Sequence, residues 1–81
     1  MNIEDIMVKA RTMDKTDSQQ FVGEFVRNGR KFVVYFTDKF IANRHKFRVF
    51  IDGTMCMYTS KLNDDFFNTV ELAFSEREDN E

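Results

Sequence analysis

The sequence predicts an α+β fold: a four-stranded, mainly antiparallel sheet of two hairpins, with a short N-terminal helix and a longer C-terminal helix packed on the sheet. Three observations predict it. Asn28-Gly29 lies between runs rich in Phe, Val and Tyr; Asp52-Gly53 lies between similar runs that add Met; apolar residues recur at helical spacing at both ends of the chain. A two-residue type I′ loop needs φ > 0 at both positions. Asn, Asp and Gly meet that need at the lowest steric cost, so each dipeptide marks a tight hairpin.

Taken in order, Ile3, Ile6, Met7, Ala10 and Met13 follow a 3.6-residue period and predict a helix over residues 3–13. Residues 14–19 are polar and read as a connector. Residues 20–27 and 30–37 are the arms of the first hairpin, and 45–51 and 54–59 those of the second. Residues 38–44 are a link with room for one helical turn. Asn63-Asp64-Asp65 reads as a helix start, since Asn caps free N–H groups and acids suit the positive end of the helix dipole. Leu62, Phe66, Val70, Ala73 and Phe74 then form an apolar stripe to about residue 76. One domain over 1–76 and an acidic, disordered tail over 77–81 are expected.

Two-residue loops also sort the strands into faces, because cross-strand partners share a face. Pairing Arg27 with Arg30 places Phe21, Phe25, Phe32, Val34 and Phe36 on one face of the first hairpin. Val22, Glu24, Val26, Lys31, Val33 and Tyr35 take the other. The same rule at Asp52-Gly53 groups Phe47, Val49 and Ile51 with Cys56 and Tyr58, and opposes them to Lys46, Arg48, Phe50, Met55 and Met57. The first set is the better core face, with Phe66, Val70 and Phe74 of the C-terminal helix covering it. The second is too apolar to be left in water without a reason. Either the N-terminal helix packs on it, or part of it stays open for a partner, or a homodimer pairs it with itself. Gly23, inside a strand, marks a bulge or bend.

Composition narrows the function. Eighty-one residues make one small domain, and 42% hydrophobic content with ten Phe suffices for a modest core. A single cysteine excludes an intramolecular disulfide and fits a reducing compartment. No signal-peptide pattern and no apolar run near 18 residues is present, so a cytoplasmic protein with no membrane contact is expected. The net charge of −2 conceals a segregation. Residues 20–50 carry seven Lys and Arg against two acids, while residues 51–81 carry two against eight.

No catalytic or metal motif emerges, and the expectation is a non-enzymatic protein without cofactor. His45 and Cys56 are the sole residues of their kinds and fall apart in the expected register, leaving Cys56 as a small buried hydrophobe. Asp64 and Asp65 read as helix caps. Gly23, Gly29 and Gly53 are too scattered to cradle a phosphate.

The second face is therefore the candidate site, comprising Lys31, Val33, Tyr35, Arg44, Lys46, Arg48, Phe50, Met55 and Met57. The leading expectation is a small regulator or inhibitor that docks a larger protein through this apolar face and its basic rim. Met adapts its shape, and aromatic residues and Arg are enriched at interface cores. The alternative is single-stranded nucleic acid, whose bases would stack on Tyr35 and Phe50 while Lys and Arg hold phosphates. A third reading makes Asp64, Asp65, Glu71, Glu76, Glu78 and Asp79 an acidic mimic of nucleic acid.

The order of elements over residues 20–76, strands followed by a C-terminal helix, resembles the single-strand DNA-binding domain of the positive-cofactor transcription coactivators. That resemblance implies a curved sheet that binds DNA and a helix that makes a dimer. It rests on element order with no matched motif, so it carries over no residue role. The small size, the Phe and Met richness and the lack of catalytic groups also resemble small phage-encoded inhibitors of host machinery.

Overall fold

The computed structural model describes residues 2–13, 19–41 and 45–79. Its elements are α1 (Ile3–Thr12), β1 (Gln20–Arg27), β2 (Arg30–Ile41), β3 (His45–Ile51), β4 (Met55–Thr59) and α2 (Asp64–Asp79). The strands form one sheet in the order β1-β2-β3-β4, and every neighbouring pair is antiparallel. This is the α+β architecture that the two Gly turns and the helical periods imply. Asn28, Gly29, Asp52 and Gly53 all have φ between 53° and 76°, as left-handed turn positions require.

Both helices are capped, α2 by the Asn63 that its sequence indicates and α1 by Asn2, which was not among the expected caps. Asn2 Oδ1 accepts the Asp5 N–H at 2.8 Å, and Asn63 Oδ1 accepts the Phe66 N–H at 3.1 Å. Each Asn thus satisfies one of the orphan donors of the first turn, an arrangement worth about 1 kcal/mol. α2 continues to Asp79, past the expected end near residue 76, because no Gly or Pro interrupts it. β2 likewise runs on to Ile41, which pairs with His45, so residues 38–41 of the expected link are strand. The rest of that link, residues 42–44, and the 14–18 part of the connector lie outside the described residues.

The core is one cluster. Phe25, Phe32, Val34, Phe36, Phe47, Val49 and Ile51 supply it from a single face of the sheet; Ile6 and Ala10 supply it from α1; Leu62, Phe66, Phe67 and Val70 supply it from the α2 region. Both helices therefore cover the same face, which resolves the choice that the sequence left open for α1. Phe67, absent from the expected stripe, is central: its ring meets Phe25 at 5.9 Å and Phe32 at 5.5 Å, edge to face. Two arginines at the first turn clamp α2 from the side. Arg27 lies 4.4 Å over the Phe67 ring and reaches Asp64 at 3.4 Å. Arg30 lies 3.8 Å over Phe74 and bonds Glu71 at 3.1 Å. Part of the charge segregation is thus internal pairing between the basic hairpin and the acidic helix.

Two irregularities correct the expected faces. In β1 the register shifts between Phe21 and Gly23, so Phe21 pairs with Tyr35 rather than Phe36. Val22 becomes the extra residue and is fully buried, while Phe21 is 50% exposed on the opposite face. The second shift follows Asp52-Gly53. The Thr54 N–H closes the turn on the Ile51 carbonyl at 3.2 Å, but the ladder resumes with Ile51 opposite Met55. Thr54 is an inserted residue, and a one-residue slip turns a whole strand over. Met55 and Met57 consequently pack against the core, and Cys56 and Tyr58 face outward. The physical preference is plain: two thioether chains bury without loss, whereas an inward Tyr58 would bury a hydroxyl in need of a partner.

Candidate functional site: the open sheet face

The face opposite the helices is covered by no described element. Its residues form rows across the strands. The first row is Phe21, Tyr35, Arg48 and Tyr58, each directly opposite the next. The second is Glu24, Val33, Phe50 and Cys56. The third holds Val26 and Lys31, with Val26 71% exposed. Lys46, two residues before Arg48 on β3, shares this face by strand alternation and is half-buried.

Four aromatic rings meet here. Phe21 and Tyr35 touch edge to face with centroids 5.9 Å apart, and Tyr35 meets Phe50 in the same manner at 5.7 Å. Arg48 sits among them. Its guanidinium carbon is 5.5 Å from the Phe50 ring and 5.5 Å from the Tyr58 ring, within cation–π range of both. Its Nη1 donates to Gln19 Oε1 at 3.1 Å, and its Nε is enclosed without a partner among the described residues. Its neighbours Cys56 and Tyr58 hold the Arg48 guanidinium above its ordinary range, so it is a fixed cation. Nearer the turns, Lys31 Nζ pairs with Glu24 at 3.4 Å.

Of the residues expected to share this face, Lys31, Val33, Tyr35, Lys46, Arg48 and Phe50 do so. Met55 and Met57 do not, for the reason of register given above. Arg44 lies outside the described residues. Phe21, Cys56 and Tyr58 join the face instead. Gly23 signalled the first change, since a glycine within a strand marks a bulge. The second had no sequence signal, because Met55/Met57 and Cys56/Tyr58 alternate equally well. Cys56 is an exposed thiol, not the buried hydrophobe expected.

The face carries Lys31, Lys46 and Arg48 against Glu24, whereas the carboxylates Asp64 and Glu71 of α2 meet Arg27 and Arg30 on the helix-covered side. The molecule is therefore polarised, cationic on the bare sheet and acidic along α2. Among the described residues no three of His, Cys, Asp and Glu gather to hold a metal ion, and no helix is long and apolar enough to cross a membrane.

Fold and face together define an open-faced, two-layer α+β domain. No family model matches the chain, and neither does any curated protein or solved structure.

Proposed function

We propose that the chain binds single-stranded nucleic acid through its open sheet face. The observation that carries this reading is the gathering of Phe21, Tyr35, Phe50 and Tyr58 around Arg48. Single strands bind where rings offer surfaces for bases and cations track the backbone. The register supports this reading over the protein-docking one. Two residues that argued for a protein partner, Met55 and Met57, turn inward, and two further rings turn outward. The acidic mimic loses support because Asp64 and Glu71 are engaged by Arg27 and Arg30. Fluorescence anisotropy with labelled single-stranded and duplex DNA and RNA tests the proposal. Binding that prefers single strands and weakens steeply with salt is expected. Undetectable or salt-insensitive binding at low ionic strength overturns it.

A second reading retains support from one observation. Val26 is 71% exposed on the same face as Val33, and aliphatic surface of this kind suits a larger protein better than it suits bases. On that reading Tyr35→Ala abolishes capture of a protein partner while the fold survives. A regulatory or inhibitory role and a cytoplasmic setting belong to this second proposal.

A further inference from the structure

We propose that the nucleic acid crosses the sheet transversely, along Phe21–Tyr35–Arg48–Tyr58, with one phosphate held by Arg48 between bases stacked on Tyr35 and Tyr58. This inference rests on the nucleic-acid reading and specifies its path. The four residues are consecutive cross-strand partners, one from each strand. Strands lie about 4.8 Å apart, so the row spans about 14 Å across the sheet. Among the described residues of the face, no other row and no file along a strand contains more than one ring, and the diagonals through Phe50 contain two, against three in this row. Along the strands the files are Phe21–Glu24–Val26, Lys31–Val33–Tyr35, Lys46–Arg48–Phe50 and Cys56–Tyr58. The parallel row through Val33 and Phe50 ends on Glu24, whose carboxylate repels phosphate.

Arg48 is prepared for the central role. Gln19, Phe50 and Tyr58 fix its guanidinium before any ligand arrives, which reduces the ordering cost on binding. A planar guanidinium matches phosphate oxygens in pairs, as an ammonium does not. The charge of the face complements a polyanion, and the acidic α2 lies behind it, away from the path. The occupant fitted by these features is a single strand whose bases are unpaired and free to turn toward the rings.

The chain supplies its own probe. It has two tyrosines and no tryptophan, and both tyrosines lie in this row. Titration of the full chain with a short oligothymidylate should therefore quench tyrosine emission, in step with anisotropy of the labelled oligomer. In Tyr35→Phe and in Tyr58→Phe the one tyrosine that remains should still be quenched on titration, which reads each ring of the row separately. Phe21→Ala and Tyr58→Ala, at opposite ends of the row, should each weaken binding about tenfold. Arg48→Gln should lower the slope of log K against log salt by about 0.7. If the wild-type chain binds but neither Phe21→Ala nor Tyr58→Ala changes affinity, while Lys46→Ala and Phe50→Ala do, the strand runs along β3 and the transverse path is overturned. If the wild-type chain binds no single strand, both the path and the nucleic-acid reading fail, and the face is left to a protein partner.

Discussion

Asp52 and Lys31 are joined twice. The Asp52 N–H donates to the Lys31 carbonyl at 2.8 Å, and the Lys31 N–H donates to Asp52 Oδ1 at 2.8 Å. Asp52 Oδ2 also lies 3.6 Å from Arg30. One turn residue thus stitches the tip of the second hairpin to the start of β2 and holds the β2–β3 register.

Asp52→Ala should destabilise the fold by about 2 kcal/mol. About 1 kcal/mol comes from the lost acceptor and a similar amount from placing alanine at φ 53°. Asp52→Asn retains an acceptor and tolerates that φ, so it should cost no more than about 0.5 kcal/mol. Urea denaturation followed by circular dichroism measures both. Equal losses for the two variants would assign the effect to the Asp52 charge on Arg30 rather than to the backbone stitch.

The bulge in β1 makes a paired prediction about neighbours. Val22→Ala should cost about 2 kcal/mol, because Val22 is fully buried among core residues. Phe21→Ser, despite removing the larger side chain, should cost less than about 1 kcal/mol, because Phe21 is already half exposed to water. Thermal melts of the two variants rank them. The reverse order would restore the unbulged pairing of Phe21 with Phe36.

The inserted Thr54 is tested by chemistry rather than stability. With β4 turned as described, Cys56 is exposed and should react with a disulfide reagent such as DTNB in the native protein nearly as fast as in urea. Protection of the thiol that only denaturant relieves would place Cys56 on the core face and return Met55 and Met57 to the open one.

Much of the fold was legible because local chemistry dictates it. Asn28-Gly29 and Asp52-Gly53 have few conformations that fit between two strands, and Asn63 sits where free N–H groups need acceptors. Lys31, Val33, Tyr35, Arg48 and Phe50 were placed together by strand alternation alone. Phe67 escaped notice because a helix with adjacent phenylalanines, Phe66 and Phe67, buries both against a sheet broad enough to meet two ridges.

What the sequence by itself determined is the set of elements, their order and the location of both turns, since turn residues and hydrophobic periods act over a few positions. What the tertiary structure alone decided is which side of the sheet Phe21 and Val22 of β1 and the residues of β4 occupy, and which face α1 covers. A β-strand repeats every two residues, so one extra residue at Val22 or Thr54 exchanges the faces. Where both alternating sets are apolar, as in β4, local preference is balanced. The balance is broken by the packing of Met55 and Met57 in the core shared with α2, a set of contacts made between residues far apart in the chain.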